Sequence, residues 1–270
     1  MLPLSVHLVA WPSTRPGLAA AARLGFPAVE VFALGLWNNP PGDIAARLAE
    51  HDLELSAVFL DLPADPAAAA SAAARAAADA ASFGATRLIV TAADPHRDAD
   101  RNGGGAVAGQ ASPAGDATLL AVRRSAVIAA VAAAGQAAAH HGVRLCLHPH
   151  QGTAVESAAD TDAVLAATDP AQVWVCADTG HLLAAGDNPA AAIAGWAPRL
   201  AAVHLKDIGA AGSVVPVGTG RLDVAGTLAA LEGAVAAGAP LDHLTIEVEG
   251  FADPDAALRR SARAVTGVAA

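Results

Sequence analysis

The sequence predicts a single-domain (β/α)8 barrel, the TIM barrel, spanning residues 1–270. Short apolar runs alternate with longer Ala-rich runs along the chain, which is typical of a parallel sheet with helical crossovers. The apolar runs are continuous, as expected for strands that are covered on both faces. No GxGxxG motif follows the first run, which disfavours the open, dinucleotide-binding arrangement of the same elements.

The elements can be placed in order from these runs and from the residues that flank them. The predicted strands are 4–9, 28–32, 54–59, 86–91, 143–148, 173–177, 201–205 and 243–248. The predicted helices are about 16–24, 42–51, 66–83, 117–141, 160–167, 188–196, 223–237 and 253–267. Acidic start signals include Asp43, Asp65, Asp160 and Asp253. Glycines that suit a left-handed helix end follow four of the helices, at Gly25, Gly84, Gly142 and Gly238.

The charge and composition of the sequence limit which kinds of molecule this protein is expected to bind. The formal net charge is −10 with histidine neutral, and an acidic surface repels nucleic-acid phosphates and anionic lipids. The chain has no charge-free run of 18 apolar residues, and its N-terminus lacks the features of a signal peptide. We therefore expect a cytoplasmic protein that acts on a small molecule, with no nucleic-acid or membrane partner and with homo-oligomerisation left open. Cys146 and Cys176 are expected to be buried thiols.

One connection is unusually long. Residues 94–116 are rich in Gly, Asp and Ala and follow the fourth predicted strand. Loops of this length in compact domains are commonly lids, binding loops or disordered segments. The position after a strand puts the segment at the C-terminal face of the barrel, where barrel enzymes carry their active sites. A lid and a surface insertion are both open interpretations.

Polar side chains end four consecutive apolar strands in the second half of the chain. Because these strand ends lie side by side around one barrel mouth, their side chains can converge on one point. A lone buried histidine is usually a hydrogen-bonded core residue, but four strands with the same feature favour a shared site. The residues are His148 and His150, Asp178 and His181, His204, Lys206 and Asp207, and Glu247 and Glu249.

These segments resemble the xylose-isomerase-like TIM-barrel superfamily of sugar isomerases and epimerases, and within it the inosose dehydratase-like branch. The resemblance rests on HPHQGTAVES (148–157), CADTGHLLAAGDNP (176–189), VHLKD (203–207), PVGTGRLDV (216–224) and TIEVEG (245–250). It implies one divalent metal ion at the strand ends. The implied ligands are His148, Asp178, His204 and Glu247.

His148 departs from the superfamily pattern, which has a glutamate at this position. His150, two residues later, could take its place as a ligand or bind substrate. Mixed nitrogen and oxygen ligands suit Mn²⁺ or Co²⁺, with Zn²⁺, Fe²⁺ or Mg²⁺ as alternatives. The superfamily's epimerases use two metal-bound carboxylates as bases on opposite faces of the substrate. Loss of one carboxylate removes one base, whereas a dehydration through a metal-stabilised enediolate needs a single base and an acid.

Further residues are candidates for chemistry. The resemblance gives His181 a substrate-contact or proton-transfer role, with helix capping as the alternative. Lys206 could serve as an acid–base group or form a salt bridge to Asp207 or Glu249. Glu156 could be a general base or a solvated loop carboxylate, and Glu247 could combine metal binding with catalysis.

Other polar and aromatic positions are more ambiguous. Glu30 could bind substrate hydroxyls, orient a ligand or be a polar residue of the barrel interior. Arg221 could contact substrate or cap a loop. His7 is expected to be a core residue, and Trp11 and Trp37 are expected to pack rather than to line the pocket.

Three functions remain open from the sequence. The leading hypothesis is a metal-dependent lyase that dehydrates an inosose-like keto-polyol. The alternatives are an isomerase or epimerase of a ketose or hydroxy-keto acid, and a non-catalytic sugar-binding barrel. A metal-dependent abasic-site endonuclease would share the barrel, but the net charge of −10 disfavours a DNA-facing surface.

Overall fold

Eight parallel strands close into a barrel in the computed structural model, which describes residues 2–40, 42–93 and 117–267. In barrel order the strands are β1 (Leu4–His7), β2 (Ala28–Phe32), β3 (Glu54–Leu62), β4 (Arg87–Ala92), β5 (Arg144–Leu147), β6 (Val173–Asp178), β7 (Leu200–Leu205) and β10 (Leu244–Ile246). Val6 of β1 pairs with Val29 of β2 and with Ile246 of β10, and these pairings close the ring. The closed barrel confirms the predicted fold class. The segment 94–116, predicted as a lid or insertion, lies outside the described residues.

Helices cover the outside of the barrel. They are α1 (Thr14–Leu24), α2 (Ala33–Trp37), α3 (Asp43–Glu50), α4 (Pro66–Ser82), α5 (Ala117–Ala139), α6 (Ala158–Ala166), α7 (Thr179–Ala185), α8 (Pro189–Trp196), α9 (Val224–Ala236) and α10 (Pro254–Thr266). Side chains of Asp65, Ser157 and Asp253 accept hydrogen bonds from the first turns of α4, α6 and α10. All four glycines predicted to follow helices have positive φ angles, between 71° and 96°.

Three short features were not predicted from the sequence. They are α2, α7 and the antiparallel hairpin of β8 (Asp207–Ile208) with β9 (Val214–Val215). Each spans seven residues or fewer per element, which is too short for a periodic pattern to be recognised. The eighth barrel strand is also shorter than predicted, so that Glu247 lies just beyond the end of β10.

The core has two parts. The larger part fills the space between the barrel and its helices, and the smaller part fills the barrel interior. The interior residues are mostly small and include Ala57, Ala201, Cys146 and Cys176. Both cysteines are free and buried, as predicted, and burial raises the pKa of the Cys176 thiol to about 11.

Arg87 closes the N-terminal end of the barrel. Its side chain is buried, and its Nε donates to the carbonyl of Ala201 at 2.5 Å. Its Nη1 pairs with Asp242 at 2.5 Å, and its Nη2 donates to the carbonyl of Pro240.

Both tryptophans that follow the first two strands hydrogen-bond to surrounding helices. The indole nitrogen of Trp11 donates to Asp255 of α10 at 3.4 Å. That of Trp37 donates to Asp79 of α4 at 2.8 Å, and the Arg75 guanidinium lies over its ring. These contacts agree with the packing role predicted for both residues. Of the helices that the structure describes, none has the length and apolarity needed to cross a membrane.

Candidate functional site

Four buried side chains meet at the C-terminal end of the barrel. His148 follows β5, Asp178 ends β6, His204 lies near the end of β7 and Glu247 follows β10. One ligand-type atom from each residue lies within 4.8 Å of those of the other three. We call these residues the four-ligand group. His150 lies outside it, half-buried and with its Nδ1 against the carbonyl of Gln151 at 2.7 Å.

The contacts within the four-ligand group leave one Asp178 oxygen facing its centre. Asp178 Oδ1 accepts the backbone N–H of His181 at 2.8 Å and so caps α7. Asp178 Oδ2 lies 3.2 Å from His148 Nε2 and 3.8 Å from His204 Nδ1. His204 Nδ1 in turn lies 2.7 Å from Glu247 Oε2. The helix cap thus orients the carboxylate, and the second oxygen remains available to a ligand.

Burial and neighbouring charges set the protonation of this group. Burial lowers the pKa of His148 to about 4, so its imidazole is neutral near pH 7, as a metal ligand must be. Burial raises the pKa of Asp178, but nearby His181 and Lys206 outweigh this effect and hold the pKa below its usual value. Burial also opposes ionisation of Glu247, yet Lys206 and His204 hold its pKa well below the usual range. Both carboxyl groups are therefore carboxylates.

A divalent cation fits these residues. His148 Nδ1, His204 Nδ1 and Glu247 Oε2 are buried and, within the part of the chain described, have no hydrogen bond of ordinary geometry. Two imidazoles and two carboxylates form a mixed nitrogen and oxygen set that suits Mn²⁺, Co²⁺, Fe²⁺ or Zn²⁺. Burial lowers the pKa of His204, but the nearby Cys176, Glu30 and Glu247 raise it well above the ordinary value, so the imidazolium neutralises the carboxylates when no cation is present. A bound cation would replace that proton.

The DTGH segment that follows β6 is built around Lys206. The Thr179 hydroxyl donates to the carbonyl of Lys206 at 2.6 Å and accepts its N–H at 2.9 Å. A Cβ atom at Gly180 would lie 2.5 Å from Cγ of Lys206, so only glycine leaves room for the lysine side chain. Together these contacts direct Lys206 towards the four-ligand group.

Lys206 is a buried cation held by two carboxylates. Its Nζ lies 2.6 Å from Glu247 Oε1, 3.1 Å from Glu249 Oε1 and 3.2 Å from His181 Nε2. Burial lowers the pKa of Lys206, but the carboxylates outweigh burial and raise it above its ordinary value. Burial lowers the pKa of His181 well below its ordinary value. The site therefore places a charged ammonium beside a neutral imidazole.

His150 and His181 form the wall next to this pair. Their ring centroids are 3.9 Å apart, and the backbone N–H of Gln151 faces His181 Nδ1 at 3.3 Å. Glu156 accepts the N–H of Gly152 at 2.9 Å and so helps to shape the loop that carries His150. The contact gives Glu156 a structural role, while its predicted role as a base stays a prediction.

Asp207 is a structural residue whose role the sequence did not reveal. Instead of pairing with Lys206, its buried carboxylate accepts the backbone N–H groups of Gly218, Gly220 and Leu222 at 2.9–3.0 Å. This pulls the GTGRL loop against β8. The side chain of Arg221 is exposed on that loop, and its backbone N–H donates to Ile208. The only sequence signal for the contact between Asp207 and this loop was the short spacing between the HLKD segment and the pair Gly218 and Gly220.

Glu30 lies beneath the four-ligand group and has almost no exposed surface. Its carboxylate contacts His204 Nε2, and His7 lies on its other side. Of the roles predicted for Glu30, these contacts favour orienting a metal-binding side chain over binding substrate. His7 is buried, as predicted for a core residue.

Comparison with known proteins places the chain in a family. Residues 18–266 match the model of the xylose isomerase-like TIM barrel family, and this chain belongs to that family. Solved structures with the same fold include the 3-keto-D-glucoside 4-epimerase of E. coli, at 18% identity and a TM-score of 0.76 over 99% of this chain and 100% of that one. The probable 3-DHS dehydratase of Bacillus anthracis matches with a TM-score of 0.72 and 15% identity over 98% of this chain and 99% of that one.

Curated relatives are more similar in sequence but over a shorter stretch. An inosose dehydratase of Clostridium botulinum is 39% identical over 74 residues, which are 27% of this chain and 25% of the relative. An inosose dehydratase of Bacillus anthracis is 38% identical over a stretch of the same length and the same shares of both chains. The match thus spans a quarter of the length of these relatives.

Proposed function

We propose that this protein is a divalent-metal-dependent lyase that dehydrates a keto-polyol of the inosose class. The observation that carries the proposal is the presence of His148 in the four-ligand group, where the superfamily pattern has a glutamate. The four-ligand group then has a single carboxylate, Glu247, besides Asp178, which caps α7. The stretch of 39% identity to an inosose dehydratase supports the same reaction class.

Dehydration next to a carbonyl requires loss of a proton from carbon and departure of a hydroxyl group with a proton. His181 is neutral and can take the first proton, whereas Lys206 is charged and can supply the second. A divalent ion held by the four-ligand group would act as a Lewis acid on the keto oxygen of the substrate. Because this ion would share Glu247 with Lys206, it would also weaken the hold on the lysine proton.

The 3.2 Å contact between His181 Nε2 and Lys206 Nζ lets the pair return to its starting state. His181 receives the proton from the substrate carbon on Nδ1, which carries the lone pair because it faces the N–H of Gln151. Lys206 gives a proton to the departing hydroxyl, which leaves as water, and the Nε2 proton of His181 then passes to Lys206. The substrate has lost one proton and one hydroxide, and both side chains end with their original charges.

The test is an assay with 2-keto-myo-inositol and Mn²⁺ or Co²⁺ in D₂O. We expect loss of water with the absorbance of a conjugated product, and we expect His181→Gln to reduce the rate about 10²–10⁴-fold. The control is His140→Gln, which changes an exposed histidine at the end of the crossover between β4 and β5. Deuterium exchange with inversion and no dehydration, in the wild-type protein, would contradict the lyase and establish an epimerase instead.

A further inference from the structure

A buried glutamate lies directly below His204 in the barrel interior, and a buried histidine lies next to that glutamate. The three side chains, which we call the His7–Glu30–His204 chain, are each no more than 1% exposed. They come from β1, β2 and β7, so three separate barrel strands bring them together. His204 Nε2 lies 3.0 Å from Glu30 Oε1 and 3.1 Å from Oε2, and His7 Nε2 lies 3.3 Å from Oε1.

The positions of the protons in the His7–Glu30–His204 chain can be inferred from the contacts of His7. The backbone N–H of Val9 donates to His7 Nδ1 at 3.0 Å. This nitrogen therefore carries the lone pair, and the proton of the neutral ring is on Nε2, which faces Glu30. The Glu30 carboxylate is thus approached by His7 from below and by His204 from above.

The same geometry determines which nitrogen of His204 is available to the four-ligand group. A carboxylate within 3.1 Å of Nε2 holds the proton on that nitrogen. Nδ1 lies 2.7 Å from Glu247 and 3.8 Å from Asp178, so without a cation both ring nitrogens carry a proton. A metal ion at the four-ligand group would replace the Nδ1 proton and leave the Nε2 proton, which faces Glu30, in place. A carboxylate behind a ligating histidine fixes its tautomer and raises its basicity.

We infer that Glu30 is a positioning residue that holds His204 in the tautomer and orientation required to bind the metal ion, with His7 bordering Glu30 on its other side. This inference rests on the proposed metal site, and it assigns Glu30 a role through His204 rather than through contact with substrate. A glutamine of the same shape could not replace Glu30, because an uncharged amide does not raise the basicity of His204 as a carboxylate does.

The experiment measures Zn²⁺ affinity by chelator competition for the full chain, its Glu30→Gln variant and a control. We expect Glu30→Gln to weaken Zn²⁺ binding about 10–100-fold. Ser56→Ala is the matched control, because Ser56 is also a buried polar residue of the barrel interior but bonds to Ser5 and Val29 instead. We expect it to bind Zn²⁺ as the wild type does. Equal affinity for Glu30→Gln and wild type would overturn the inference while leaving the metal site in place.

A second measurement does not depend on the folding of the variant. Nitrogen-15 spectra of the histidine side chains in the Zn²⁺-loaded wild type report which ring nitrogen carries a proton. We expect His204 with the proton on Nε2 and the metal on Nδ1. A His204 protonated on Nδ1 would overturn the inference, whereas a wild type that binds no Zn²⁺ would overturn the proposed metal site as well.

Discussion

A Cβ atom on Gly180 would lie 2.5 Å from Cγ and 2.7 Å from Cδ of Lys206. The absence of a side chain at Gly180 thus decides the path by which the buried ammonium reaches His181 and Glu247. Lys206 cannot move aside easily, because its backbone is fixed on both sides by the Thr179 hydroxyl.

Gly180→Ala should therefore displace Lys206 without unfolding the barrel. A displacement of about 1 Å of a catalytic group lowers turnover about 10²-fold. We expect this loss in kcat, measured with saturating metal. Gly195→Ala is the matched control, since Gly195 also lies in a helix but a Cβ there would meet nothing within 4 Å. Unchanged kcat in Gly180→Ala would show that the position of Lys206 does not limit the reaction.

The low pKa of His148 predicts an acid sensitivity of the metal-free protein. An unfolded histidine has a pKa near 6.5, whereas burial lowers that of folded His148 to about 4. Below about pH 6.5 the unfolded chain therefore binds a proton that folded His148 does not, and the free energy of unfolding falls as the pH falls towards 4. The contribution is about 3 kcal/mol at full extent.

Denaturant titrations between pH 6.5 and 4.5, with a chelator present, would measure this slope. His181 and His7 have lowered pKa values and act in the same direction, whereas His204, with a raised pKa, stays protonated in the folded state and acts in the opposite direction near pH 6.5. His148→Gln should make the free energy of unfolding less dependent on pH, by the contribution of one buried histidine. A variant with the wild-type slope would contradict a buried, neutral His148.

Arg87→Ala should lower the free energy of unfolding by about 2–3 kcal/mol. The substitution removes the donor to Ala201 and Pro240 and leaves their carbonyls at the closed end of the barrel. The control is Arg259→Ala, an exposed arginine of α10, for which we expect a change within about 0.5 kcal/mol. The two variants can be compared by urea unfolding, and similar values would show that Arg87 does not stabilise this end.

The barrel and the strand-end residues could be predicted because both depend on local sequence. Continuous apolar runs mark buried parallel strands, and the residue after each run is placed at one barrel mouth by the fold itself. The resemblance to the superfamily then singled out His148, Asp178, His204 and Glu247 among the strand-end residues, and the structure brings these four together.

The supporting contacts could not be predicted because they depend on register between distant strands. His7 and Glu30 look like core residues until β1, β2 and β7 are placed around one barrel interior, and Gly180 looks like an ordinary turn glycine. The sequence suggested a salt bridge for Asp207. In the structure its carboxylate instead accepts hydrogen bonds from three backbone N–H groups of a loop more than ten residues away. The residue types at strand ends can therefore be used to predict the chemistry of the site, whereas the partners of each side chain can be identified only from the folded structure.

Metal titration of the chelator-treated protein tests the four-ligand group most directly. Isothermal titration with Mn²⁺ or Co²⁺ should show one ion bound per chain. Asp178→Asn should weaken binding at least 10-fold while the asparagine still caps α7, because it retains the oxygen that accepts the N–H of His181. One ion per chain that is lost in Asp178→Asn is the predicted result. A wild type that binds no divalent ion, or one whose binding is unchanged by Asp178→Asn, would contradict the proposed metal centre.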